Sequence, residues 1–285
     1  MHISMIKYSK IFVRRITLST KYKLAKDINK SNKTDYNLLV DVAILLGEIM
    51  LKNGAETKKV EDVMYKLLNT TKMKHVEVVA LTTSIIVTLS DPSIEHITAM
   101  TRIHERITNL NRVNLANVAV DKYCNKEIDL EELFHDLKQI KKVNQYSNLV
   151  KSLALILIPP SFTVMLNGTY IDAIAALICG IIIAMLNKLF SYIKINNFMK
   201  NSIIVICASF AATLLNRLIN SDIQAVVAGF IMPYVPGVAI TNAARDTFNA
   251  DYMSGAARLL DALVQALAVA LGVLVGLYIS NFLLK

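Results

Sequence analysis

Three cysteines occur in the chain, Cys124, Cys179 and Cys207, and none forms a CxxC pair. This excludes the common zinc-ribbon and dithiol spacings, and the two that fall in apolar stretches read as packing residues. His75, His96, His104 and His135 show no HxxH or HExxH spacing, so they read as surface or strand-edge residues rather than metal ligands. No GxGxxG, Walker or GxSxG segment is present, which leaves dinucleotide binding, ATP hydrolysis and nucleophile-elbow chemistry without support. An enzyme should also show a nucleophile with its base, or a metal cluster. Neither is found, so the expectation is a non-enzyme with no cofactor and no metal. Charge is itself unevenly supplied: it is dense to about Lys142 and nearly vanishes from long stretches beyond.

What the chain has in quantity is apolar surface. A hydrophobic content of 54% and a mean hydropathy of +0.45 over 285 residues are too high for one soluble globule, so part of the chain belongs in lipid. The formal charge of +9 suggests nucleic acid at first sight. No zinc spacing, ribonucleoprotein-type aromatic motif or basic helix face accompanies it, so nucleic acid is not an expected partner. Basic residues instead crowd residues 1–35, Arg14 and Arg15 among them. That leader lacks an apolar core long enough for a secretory signal peptide and reads as a disordered tail or a segment held by anionic lipid heads.

Residues 36–145 read as a cytoplasmic α+β domain. Leu38, Leu39, Val42, Leu45, Leu46 and Ile49 recur at helical spacing, and Gly54 is placed to end that helix. A second helix follows, with Thr57 as its expected cap and Val60, Val63, Met64, Leu67 and Leu68 on its apolar face. His75–Leu81, Ser84–Ser90 and Ile94–Thr101 are rich in Val, Ile and Thr and are punctuated by Asp91-Pro-Ser, which predicts strands with a turn. Asn109–Cys124 and Asp129–Lys142 read as helices.

Residues 146–285 read as an all-α membrane domain. A hydrocarbon core about 30 Å thick needs about 20 helical residues. Five runs qualify, near Leu149–Leu166, Tyr170–Leu186, Asn201–Ile219, Ile223–Asn242 and Ala256–Phe282. Basic residues in short connections stay on the cytoplasmic side. Lys138, Lys141, Lys142 and Lys151 precede the first run, Lys188, Lys194 and Lys200 lie between the second and third, and Arg245 and Arg258 between the fourth and fifth. Arg217 and Lys285 alone lie opposite. The expectation is a multi-pass protein of the cell membrane, amino terminus inside and carboxyl terminus outside.

The fourth run holds the most informative chemistry. Pro233, Pro236 and Gly237 fall within five residues. Each proline removes a backbone donor, so a continuous helix is not expected there, and the break falls near the bilayer midplane. Opened backbone at that depth must be buried in protein or line a polar cavity. A half-helix starting near Gly237 aims free amides and a positive dipole end at such a cavity, which suits a carboxylate. Gly237, Thr241 and Arg245 stack at four-residue spacing, with Asn242 and Asp246 beside them. The candidate binding set is therefore Pro233, Pro236, Gly237, Thr241, Asn242 and Arg245, with Asp246 expected to hold Arg245. The competing reading is a proline kink made for packing, with Arg245 and Asp246 as a boundary cap.

Acids near the spans are few. Asp172, Asp246 and Asp261 are candidates for coupling to protons, against capping or local pairing with, for Asp261, Arg258 three residues away. Ala262, Ala266 and Ala270 align, and Gly272 and Gly276 form a GxxxG, which predicts a packing seam within the chain or with another subunit. A membrane-anchored sensor that binds a ligand through its soluble domain is the rival of another class, although such a protein needs no polar break at midplane.

Gly54-Ala-Glu-Thr57 with Val60-Glu-Asp62, then Pro236-Gly-Val-Ala-Ile-Thr-Asn-Ala-Ala-Arg-Asp246 with Ser254-Gly-Ala-Ala-Arg258, resemble the two signatures of the threonine/serine exporter family. The resemblance runs from about Leu38 to Ile279. It implies a secondary exporter of small amino acids and, with five helices, the large subunit of the split form, whose partner is a separate small membrane subunit and which is expected to be oligomeric in the bilayer. It also implies the alternative cargo of that form, C4-dicarboxylates such as succinate. Glu56 then becomes a candidate gate or subunit contact.

Overall fold

The apolar periodicities resolve into ten helices and three strands among the residues described in the computed structural model, which are 36–71, 73–92, 94–104, 107–193 and 195–283, apart from the side chains of Ile94 and Glu95. The basic leader, Ser93 of the expected turn, and the charges of Lys194 and Lys285 lie outside them. The chain divides into two units between Leu39 and Val40. Of the first, only 36–39 is described, as the opening turn of α1.

Helix α1 (Tyr36–Lys52) buries Val42, Leu46, Ile49 and Met50. It stops where Asn53 turns its side-chain amide back to the Ile49 carbonyl at 2.6 Å and Gly54 takes φ +94°, a conformation side chains resist. Helix α2 (Thr57–Leu68) buries Val60, Val63, Met64, Leu67 and Leu68, the apolar face expected of it. Thr57 does not cap it. Glu56 occupies the cap position without a side-chain bond, and Thr57 is the first helical residue.

Strands β1 (His75–Leu81), β2 (Ser84–Asp91) and β3 (Ile94–Arg102) form an antiparallel meander in the order β1-β2-β3. Val78 opposes Val87, and Val87 opposes Ala99. Alternation sends Val78, Ala80, Ile85, Val87 and Leu89 inward. A Cβ on Gly47 would lie 2.6 Å from Met64 Sδ and 2.8 Å from Ile85 Cδ1, so α1 passes tightly over α2 and the sheet. Helices α3 (Leu110–Cys124) and α4 (Leu130–Ile140) complete this half, started by Asn109 and by an Asp129–Glu132 capping box. Cys124 packs beside Lys66, and burial pushes its thiol up.

Helices α5 (Asn148–Met165), α6 (Tyr170–Phe190), α7 (Asn197–Ile219) and α10 (Tyr252–Leu283) are each long and apolar enough to cross a membrane. Between the last two, α8 (Ile223–Ile231) runs through a 3-10 turn, Met232–Tyr234, into α9 (Gly237–Phe248). The segments Ile223–Tyr234 and Gly237–Phe248 meet at 56°, and together they are also long and apolar enough to span. The chain is thus mostly helical, with a small three-stranded sheet near its amino end and four to five candidate apolar spans.

Small residues set the distances between these helices. Pro160 has no N–H for the carbonyl of Ile156, and a Cβ on Gly180 would lie 2.6 Å from that oxygen, so α5 and α6 approach closely there. Gly229 of α8 meets Thr163 in the same way, and the Thr163 hydroxyl donates to the carbonyls of Pro159 (2.9 Å) and Ala225 (3.3 Å). The predicted GxxxG seam forms within the chain: Gly272 and Gly276 face the α7 backbone at Ser202 and Ile206. Ala266 and Ala270 do not share it. They are exposed, because the buried stripe of α10 passes through Ala262, Val269, Gly272, Gly276 and Ser280 instead.

Candidate functional site

The two signature segments, almost 190 positions apart, meet at one place. The Gly54–Thr57 loop is held from behind, where the amides of Ile107 and Asn109 donate to the carbonyls of Lys52 (2.9 Å) and Asn53 (3.0 Å). Its front faces the inner side of α9 and the first turns of α10. Asn242 Nδ2 donates to the Gly54 carbonyl at 3.0 Å, and an Arg258 terminal nitrogen donates to the Ala55 carbonyl at 2.9 Å. Thr57 gives both its hydroxyl (2.9 Å) and its amide (3.3 Å) to Asp246 Oδ1.

Asp246 is fully buried, and its other oxygen lies 2.7 Å from Nε of Arg258, whose side chain is 6% exposed. Contact is through charge rather than a well-aligned hydrogen bond. Two ions removed from water need each other and further polar partners. Asp246 finds these in Thr57, at the start of α2, where the helix dipole also favours an anion. One carboxylate thereby joins the α2 start, α9 and α10. The α9–α10 turn is close: a Cβ on Gly255 would lie 2.3 Å from the Thr247 hydroxyl.

Arg245 is not held by Asp246. Adjacent helical residues point about 100° apart, and Arg245 faces outward, its side chain 58% exposed and paired with Glu56 across the loop. The predicted stripe therefore divides. Gly237, Thr241 and Arg245 lie on the exposed face of α9, whereas Asn242 and Asp246 are buried. Thr241 donates back to the Gly237 carbonyl at 3.0 Å, and a Cβ on Gly237 would meet nothing within 4 Å. Pro236 holds the cap position of α9 and offers no side-chain hydrogen bond, while Pro233 sits in the preceding 3-10 turn, beside Tyr234, whose hydroxyl accepts from Asn187 Nδ2 at 3.1 Å.

Asp172 stands apart from this cluster. One of its oxygens accepts from the Thr169 amide (2.8 Å) and hydroxyl (2.7 Å), and the other accepts from the Asp222 amide, so it caps α6 and pins the start of α8. Asp261 is half-buried on α10, and its expected neighbour Arg258 reaches Asp246. The roles of Thr57 and Arg258 were missed in the sequence. Both lie inside the two signatures, and the only available signal was that two polar motifs in separate halves needed partners.

Several apolar helices of spanning length, with a polar cluster at the end of a bent helical pair, are the features of a membrane protein. The chain belongs to the exporter family described as "Putative threonine/serine exporter" (ThrE), whose profile matches residues 41–280. No curated protein and no solved structure matches the chain.

Proposed function

We propose that the chain is one subunit of a secondary exporter that moves threonine- or serine-like amino acids out of the cytoplasm. The observation that carries this reading is the bent pair at Val235-Pro236, which leaves a helix start without a side-chain cap at an open, exposed Gly237, in a chain of an exporter family. The pair is read as one broken span, making five. The amides that follow Gly237, whose own amide donates to the Val235 carbonyl at 2.8 Å, take the substrate carboxylate, with Pro233 and Pro236 keeping the backbone open and Thr241 on the same exposed face supplying a hydrogen bond. Arg245 draws anions from the cytoplasmic side. Glu56, Asp246 and Asp261 are the gating and coupling candidates.

The charge asymmetry supports an inside amino terminus, a cytoplasmic domain at 36–145 and a membrane domain at 146–285. The outward face of α9 carries Thr241 within the bent pair, where an exposed polar group is disfavoured against lipid. That supports a covering partner, read as a small membrane subunit. The test is efflux from cells loaded with a threonine-containing peptide, and separately from cells producing succinate, with and without the small subunit. Threonine efflux that depends on the chain is expected. Unchanged efflux of both in every combination removes the exporter reading.

A further inference from the structure

The polar groups that hold the Gly54–Thr57 loop are matched to something smaller than a loop. One carboxylate oxygen, Asp246 Oδ1, receives an amide and a β-hydroxyl from the same residue, Thr57. Two donors, Arg258 and Asn242, receive carbonyl oxygens from the two residues at Ala55 and Gly54. An amine and a β-hydroxyl on neighbouring carbons, with acceptor oxygens on the other side, are the groups of a free β-hydroxy amino acid. In addition, the hydroxyl of Ser254, one helical turn before Arg258, is buried and has no hydrogen-bond partner among the described residues.

We infer that Asp246, Arg258 and Asn242 form the cytoplasmic substrate station, specific for β-hydroxy amino acids, and that the Ala55–Thr57 segment occupies it as an internal competitor. The substrate ammonium and hydroxyl replace the Thr57 amide and hydroxyl on Asp246. Its carboxylate replaces the two loop carbonyls on Arg258 and Asn242, a stronger match because both partners of the Arg258 contact are then charged. Asp246 is fully buried while the loop is in place, so substrate entry and loop departure are one event. Outside the station, the exposed Glu56–Arg245 pair fastens the loop. A site built to hydrogen-bond a hydroxyl discriminates strongly against the analogue that lacks it, because its buried acceptor is left unpaired.

This inference rests on the exporter reading and names the station at which that cargo is first bound. The test uses the full chain in lipid nanodiscs, with L-threonine, L-serine, L-valine and succinate as probes. Amide hydrogen exchange over residues 53–58 should rise with L-threonine and L-serine and stay unchanged with L-valine, which has the shape of threonine without its hydroxyl, and with succinate. Thr57→Val, which weakens the competitor and leaves the station intact, should tighten L-threonine binding about tenfold to a hundredfold, the worth of one hydrogen bond to a charged group. Thr57→Ser should bind as the natural chain does. A loop that only fastens two parts of the protein together would show no such gain in affinity.

Valine binding as well as threonine, or unchanged threonine affinity in Thr57→Val, overturns the inference and leaves threonine efflux standing. Succinate binding without threonine overturns it too, and moves the exporter reading to dicarboxylates. Absence of binding together with absence of efflux removes both.

Discussion

Thr57 and Asp246 stand 189 positions apart, and the hydroxyl of one donates to the carboxylate of the other at 2.9 Å. Arg258 meets the second oxygen of that carboxylate. A buried charge pair contributes little net stability, but its partners depend heavily on each other.

Arg258→Leu should therefore lower stability by about 3–5 kcal/mol, because it strands a buried anion. The double replacement Asp246→Leu with Arg258→Leu should recover much of this loss, since no ion then remains buried, while efflux stays abolished. Thermal unfolding of the purified proteins separates the two effects. Equal destabilisation by the single and double replacements would show that the pair is not the buried unit described.

Two glycines of the bent pair should respond oppositely. A Cβ on Gly229 would lie 2.0 Å from Thr163 Oγ1 and 2.6 Å from the Pro159 carbonyl, so Gly229→Ala forces α8 away from α5 and should lose about 1–3 kcal/mol. Gly237→Ala meets open space and should leave thermal stability and membrane abundance unchanged. Its efflux then reads the space that the substrate carboxylate needs, and it should fall.

The local structure of this chain was legible because its periodicities are strong. The three strands end within one residue of their predicted bounds, and Gly54 and Asp129 act at the helix ends as expected. The site was legible only as two separate motifs. Helical spacing placed Thr241 and Arg245 on one stripe with Asn242 and Asp246 beside them, but spacing carries no information about which stripe is covered. The cover is the Gly54–Thr57 loop, and that contact is long-range. For the same reason the spacing that aligned Ala262, Ala266 and Ala270 carried no information about which of them the buried stripe of α10 takes, and of the three it takes Ala262.

Asp172 offers a discrimination between capping and coupling. Its two oxygens accept three hydrogen bonds, from Thr169 and Asp222. Asp172→Asn can accept on one oxygen only, so it should lose about 0.5–2 kcal/mol through the α6 cap. Efflux per folded molecule should keep its dependence on external pH. A flattened pH profile at unchanged folded abundance would instead make Asp172 a proton carrier.

The pair of Glu56 and Arg245 separates fastening from steering. It is solvent-exposed, so its contribution to stability is below about 1 kcal/mol and weakens with salt. Arg245→Ala removes both the fastening of the loop and the cation that draws carboxylates toward α9, and efflux should fall while protein abundance holds. The exchanged pair, Glu56→Arg with Arg245→Glu, restores attraction across the loop but leaves an anion on the exposed face of α9. Hydrogen exchange over residues 53–58 should therefore return to that of the natural chain, whereas efflux should remain low. Recovery of efflux in the exchanged pair would show that the sign of the charge on the outer face of α9 does not matter and move substrate capture to the buried groups behind it.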